Sequence, residues 1–114
     1  MKIIKDSIKL EELKRIAEEQ FGEFVKAAVD IEQGIMAVGG ELHADGEALL
    51  IEKEGSKSES VWGINLYPGK ISEDWIEFDS VINLKPAFGN RSRGIDNLEI
   101  QKKIRNIIGK LVLR

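Results

Sequence analysis

The sequence predicts an α+β fold: a largely antiparallel sheet with two helices packed on one face, a two-layer sandwich. Three observations lead there. Stretches near both ends space their apolar residues with the helical period, whereas the stretches between them alternate with period two. The alternating stretches are joined by short Gly-, Asp- and Pro-containing turns, which favours antiparallel neighbours over crossover connections. At 114 residues the chain fits a single domain, 1–114, with enough length to bury a core.

Lys2 to Lys5 reads as a short strand. From Ile8 to Phe21 the pattern becomes helical, with Leu10, Leu13, Ile16, Ala17 and Phe21 on one stripe and Gly22 as the stop. Val25, Ala27, Val29 and Ile31 then alternate with Lys26, Ala28, Asp30 and Glu32, and Gln33-Gly34 reads as a turn. Ile35 to Val38 resumes as a strand and runs into Gly39-Gly40-Glu41-Leu42-His43-Ala44-Asp45-Gly46, which holds the single histidine. Asp45-Gly46 signals a hairpin, with Ala48 to Ile51 as the return strand covered on both faces.

Glu54 to Ser60 forms a charged loop, and Val61 to Tyr67 the next strand, ended by Pro68-Gly69. Trp75 to Leu84 alternates again. A glycine-bounded loop, Gly89 to Gly94, leads to a final helix with Asp96 as N-cap and Glu99 three residues on, the capping-box spacing. Ile100, Ile104, Ile107, Ile108 and Leu111 make its apolar stripe. Trp62 shares parity with Ile64 and Leu66 and is assigned to the core; Trp75 is assigned to the exposed or partner-facing side.

Bulk composition narrows the function classes. The formal net charge of -3 argues against a general nucleic-acid binder. The absence of cysteine excludes disulfides, thiolate metal sites and Cys nucleophiles. No apolar run approaches the roughly 18 residues that span a bilayer. The expectation is a cytoplasmic protein without membrane partners.

Chemistry concentrates in two places. On a strand, Glu41, His43 and Asp45 share one face, and parity adds Asn65, Tyr67, Trp75, Glu77, Asp79 and Asn83. Imidazole nitrogen and carboxylate oxygens are donors for a divalent metal, so Glu41, His43, Asp45 and Asp79 are candidate ligands. The alternative reading is the solvated side of a sheet. The second place is Asn90-Arg91-Ser92-Arg93, where glycine-bounded backbone and two guanidinium groups make Asn90, Arg91 and Arg93 a candidate anion site. In the alternative, Arg91 and Arg93 pair with Glu41, Glu77 or Asp79 and pin the loop to the sheet.

The segments GGELHADGEALL, WGINLYP, EFDSVIN and GNRSRG together resemble a family of small prokaryotic proteins of unknown function. The likeness runs from the Leu10–Phe21 helix to the Asp96–Leu111 helix. It implies a self-contained cytoplasmic domain and brings no activity, substrate or catalytic residue.

The leading expectation is therefore a binding domain for a small anionic ligand or a divalent metal on a polar sheet face. Self-association or partner binding through an edge strand, or through Trp75 with Tyr67 and Val81, is the second. A hydrolase-type enzyme using His43 with Asp79 or Glu77 is the third, and it lacks a motif. Nucleic-acid binding through the arginine loop and final helix comes last.

Overall fold

The alternating segments Val25–Asp30 (β3), Ile35–Val38 (β4) and Val61–Leu66 (β5) do form adjacent antiparallel strands. The computed structural model describes residues 1–114. Lys2–Ile4 (β1) pairs with β4, and Ile76–Glu77 (β6) pairs with β5, giving one sheet ordered β1-β4-β3-β5-β6. A separate parallel pair joins Ile8–Lys9 (β2) to Val112–Leu113 (β7). The helices are Leu10–Gln20 (α1), His43–Glu54 (α2) and Leu98–Leu111 (α3). None is long and apolar enough to cross a membrane.

One sheet face carries Val25, Ala27 and Val29 with Met36, Val38, Trp62, Ile64 and Leu66. Against it pack Leu13 and Ala17 of α1 and Ile104, Ile108 and Leu111 of α3. The opposite face carries Ala28, Ile35, Ala37 and Val61, and Leu50 of α2 packs there. The sheet is thus covered on both sides by three helices, which corrects the expected two-helix, two-layer sandwich.

The correction lies in Gly39 to Ile51, expected as a hairpin. It is instead a short irregular entry followed by α2. Ala, Leu, Glu and Lys dominate His43–Glu54, and they favour a helix once a first turn is nucleated. Asp45 helps to nucleate it: its Oδ2 accepts the Leu42 N–H at 3.1 Å. Gly46 makes no turn but lets α2 sit low, since a Cβ there would lie 3.1 Å from the Ala28 Cβ. Gly55, at φ 66°, closes α2 in the left-handed conformation that glycine adopts without strain.

The expected Trp75–Leu84 strand is also shorter. Only Ile76 and Glu77 pair with β5, and Val81–Asn83 is a 3-10 turn. Ser80 lies directly over Gly63, where an added Cβ would meet the Ser80 Cβ and Oγ at 2.5 Å. Beyond β6 the Asn83 amide replaces the missing strand. Its Oδ1 accepts the Gly63 N–H at 2.8 Å and its Nδ2 donates to the Gly63 carbonyl at 2.9 Å.

Trp62 is in the core as expected, but Trp75 is buried in the same cluster. The 3-10 turn Glu73–Trp75 ahead of β6 breaks the parity on which its outward assignment rested. Its burial removes the aromatic anchor of the expected partner surface. Helix α3 begins one residue later than expected, with Asn97 as N-cap accepting from the Glu99 N–H at 2.8 Å. Asp96 instead lies in the preceding loop.

Candidate functional site

The sheet register builds a polar row across three strands: Lys26 of β3 faces Asn65 of β5, which faces Glu77 of β6. All three lie on the α2 side, beyond the apolar patch that α2 covers. His43, the first residue of α2, reaches down onto this row. Its Nε2 lies 2.9 Å from the Ile64 carbonyl oxygen and 3.0 Å from Asn65 Oδ1.

Those contacts settle the imidazole tautomer. The Asn65 Nδ2 donates to Glu77 Oε1 at 2.8 Å, so Oδ1 is the amide atom turned toward the ring. Both partners of Nε2 are then acceptors, and Nε2 must carry the proton. The Tyr67 hydroxyl also donates to Glu77 Oε1, at 3.2 Å. Burial and the Glu77 carboxylate push that phenol up, which keeps it a neutral donor. Nδ1 of His43 has no protein partner.

Desolvation holds the His43 pKa below the ordinary 6.5; the Ile64 carbonyl opposes the shift and the Lys26 charge adds to it. The unfolded chain takes up this proton near 6.5, the folded imidazole only at lower pH. Stability from the neutral ring is therefore present above that range and lost as the pH falls through it. Thermal midpoints of the wild type and of His43→Asn, followed from about pH 7.5 to 5, should diverge, with the wild type losing more on acidification. Parallel curves would refute the buried neutral imidazole.

His43 opens into a cleft of about 550 Å³ that Lys26, Asn65, Asp79 and Arg93 also line. Arg93 donates from Nε to Asp79 Oδ1 at 2.7 Å, which leaves both Nη groups without a protein partner. Its backbone is anchored, because the Arg93 carbonyl accepts from the Ser80 N–H and from Asn83 Nδ2, each at 2.9 Å. The Lys26 ammonium makes no ion pair and sits 4.9 Å over the Phe21 ring. Phe24 stacks on Phe21 at 5.0 Å and forms the apolar wall behind it.

Of the residues singled out from sequence, His43, Asp79 and Arg93 meet in this cleft. Glu41 and Asp45 do not line it. Glu41 is exposed before α2, and Asp45 turns back onto its own helix terminus. No group of three or more His, Asp or Glu side chains is placed to hold a metal ion.

Asn90 is buried and serves its own loop. Its Nδ2 donates to the carbonyls of Asn83, Ser92 and Gly94, and its Oδ1 accepts the Asp96 N–H at 2.8 Å. Arg91 is exposed, lies outside the cleft and makes no ion pair. The Arg93–Asp79 pair is the pinning contact that the alternative reading of the loop anticipated. Lys26 was overlooked in the sequence, although it stands on the polar side of the alternating β3 pattern.

No curated protein and no solved structure matches this chain. A family model described as "Protein of unknown function (DUF5674)" matches residues 2–111. The whole-chain likeness seen in the sequence motifs thus resolves into membership: the chain belongs to the DUF5674 family.

Proposed function

We propose that the chain is a binding domain for a small anionic ligand, held in the cleft between the start of α2 and the Arg93 loop. One observation carries the reading: Lys26 and Arg93 line the same cleft, the Lys26 ammonium makes no ion pair, and Arg93, although paired with Asp79 through Nε, keeps both Nη groups without a protein partner. A guanidinium anchored through Nε presents two parallel N–H groups on its far side, a fork that matches carboxylate or phosphate oxygens. Asp79 offsets part of this charge and fixes the direction of the fork.

Amide-shift titration of the labelled protein with sodium phosphate, and separately with sodium acetate, tests this. Saturable shifts at Lys26, His43, Asn65, Asp79 and Arg93, weakened about tenfold or more in Arg93→Gln, are expected from losing a charge-assisted contact. The absence of saturable shifts with either anion would reject the reading. Saturation by a divalent metal chloride at His43 and Asp79 alone would turn the cleft into a cation site.

A further inference from the structure

We infer that the cleft distinguishes oxyanions by whether they carry a hydrogen, and takes a phosphate group in preference to sulfate. This rests on the anion-binding reading above and deepens it. Phosphate and sulfate are alike in shape and in their acceptor oxygens. At neutral pH sulfate offers acceptors only, whereas phosphate and its monoesters exchange between forms with and without a P–OH donor.

The cleft is not lined by donors alone. Nε2 of His43 is committed as a donor to the Ile64 carbonyl and to Asn65 Oδ1, at 2.9 and 3.0 Å. The neutral ring consequently presents a lone pair at Nδ1, the one ring nitrogen free to meet a ligand. The Asp79 carboxylate adds a second acceptor on the same lining. Lys26 and Arg93 supply the donors. An oxyanion held by Lys26 and Arg93 and lying against His43 completes its contacts if one of its oxygens bears a hydrogen.

Sulfate in that position sets oxygen lone pairs against the Nδ1 lone pair and leaves both without a donor. The ring can relieve this only by taking up a second proton, which its burial and the neighbouring Lys26 charge oppose. The groups that bear on this protonation are Lys26 of β3, Glu77 of β6 acting through Asn65, and Asp79 and Arg93 across the cleft. The cleft is also far larger than a tetrahedral ion. Its rim includes Leu42 and Val81, exposed by 59% and 62%, beside Phe24, an apolar surface suited to the organic part of a monoester.

The test is a set of binding isotherms at pH 7 and constant ionic strength with inorganic phosphate, glycerol phosphate and sulfate. Both phosphates should bind about tenfold or more tightly than sulfate, the scale of one buried hydrogen bond made or left unmade. Tighter binding of glycerol phosphate than of inorganic phosphate would point to a monoester, and equal binding to the free ion. His43→Asn should bring the phosphate-to-sulfate ratio toward one while Lys26 and Arg93 keep both ions bound. Independently of any variant, the imidazole Nδ1 resonance of the wild type should move on phosphate addition and stay in place with sulfate. Equal affinity for phosphate and sulfate would overturn this inference and leave anion binding standing. Binding of none of the three would overturn the anion-binding reading itself.

Discussion

Replacing Asn83 with alanine should lower the free energy of unfolding by about 3 kcal/mol, a large effect for a neutral polar side chain. Asn83 is fully buried. Its amide accepts from the Gly63 N–H and donates to the carbonyls of Gly63 and Arg93. Strand β6 has already ended at Glu77, so no neighbouring backbone stands ready to take over Gly63. Alanine would leave buried backbone groups of Gly63 unpaired, and each such loss costs roughly 1–3 kcal/mol. Urea denaturation measures the effect, with the m-value unchanged if the native state is otherwise intact. A loss below about 1 kcal/mol would mean that the amide is dispensable, as at an ordinary surface position. The same substitution removes one of the two hydrogen bonds on the Arg93 carbonyl, so it should also loosen the guanidinium at the cleft.

The second large effect is expected at Asp30. This side chain is buried at the end of β3 and organises the turn into β4. Its Oδ1 accepts the backbone N–H groups of Glu32 and Gln33 at 2.8 and 3.1 Å. Its Oδ2 accepts the Ser56 hydroxyl at 2.6 Å and the Gln33 amide at 2.9 Å, which ties the turn to the end of α2. Asp30→Ala should cost about 3 kcal/mol, because hydrogen bonds to a carboxylate exceed neutral ones and several donors lose their partner together. Asp30→Asn should cost less, since Oδ1 can keep both backbone contacts while an NH2 group now faces the Gln33 amide. Denaturation of both variants, with hydrogen exchange at Glu32 and Gln33, checks the ordering. Asparagine at least as costly as alanine would contradict the hydrogen-bond account.

How much could be read in advance follows from the range of each interaction. Strands β3 and β5 were legible because their larger apolar residues recur with a period of two, β4 because a short apolar run follows a Gln-Gly turn, and α1 and α3 because each carries an apolar stripe at helical spacing. Helix α2 was not. It buries only Gly46 and Leu50, on a floor of small residues that includes Ala28 and Ala37. So thin a contact leaves little apolar periodicity, and the alternation of Glu41, His43 and Asp45 supplied a false one. Asp45-Gly46 carried a local hairpin preference that the helix overrode.

The site shows the same division. His43, Asp79 and Arg93 were selected for their chemistry and do converge, although the strand assigned to His43 is a helix terminus. Asn65 and Glu77 kept their parity because β5 and β6 pair in register at that point. The internal roles of Asn83 and Asn90 were invisible, because the partners of an amide depend on contacts far along the chain. Lys26 escaped notice since a lysine on the polar side of a strand looks like ordinary solvation until the fold puts it on the lining of the same cleft as Arg93.

The parallel pair of β2 and β7 has a kinetic consequence. It joins Ile8 to Val112 and so closes a loop containing nearly every other residue. The β3–β4 hairpin closes only the few residues between Asp30 and Ile35. Search time and closure entropy rise with sequence separation, which places the hairpin early in folding and the β2–β7 seam late. Ile8 and Val112 are both buried in the main core cluster, so this late seam is closed by the packing of the core rather than by its two residue pairs alone. Lys26, His43, Asn65, Asp79 and Arg93 all lie within the loop it closes, on elements whose pairing does not involve it. The cleft can therefore take shape on the early sheet before the two ends of the chain meet.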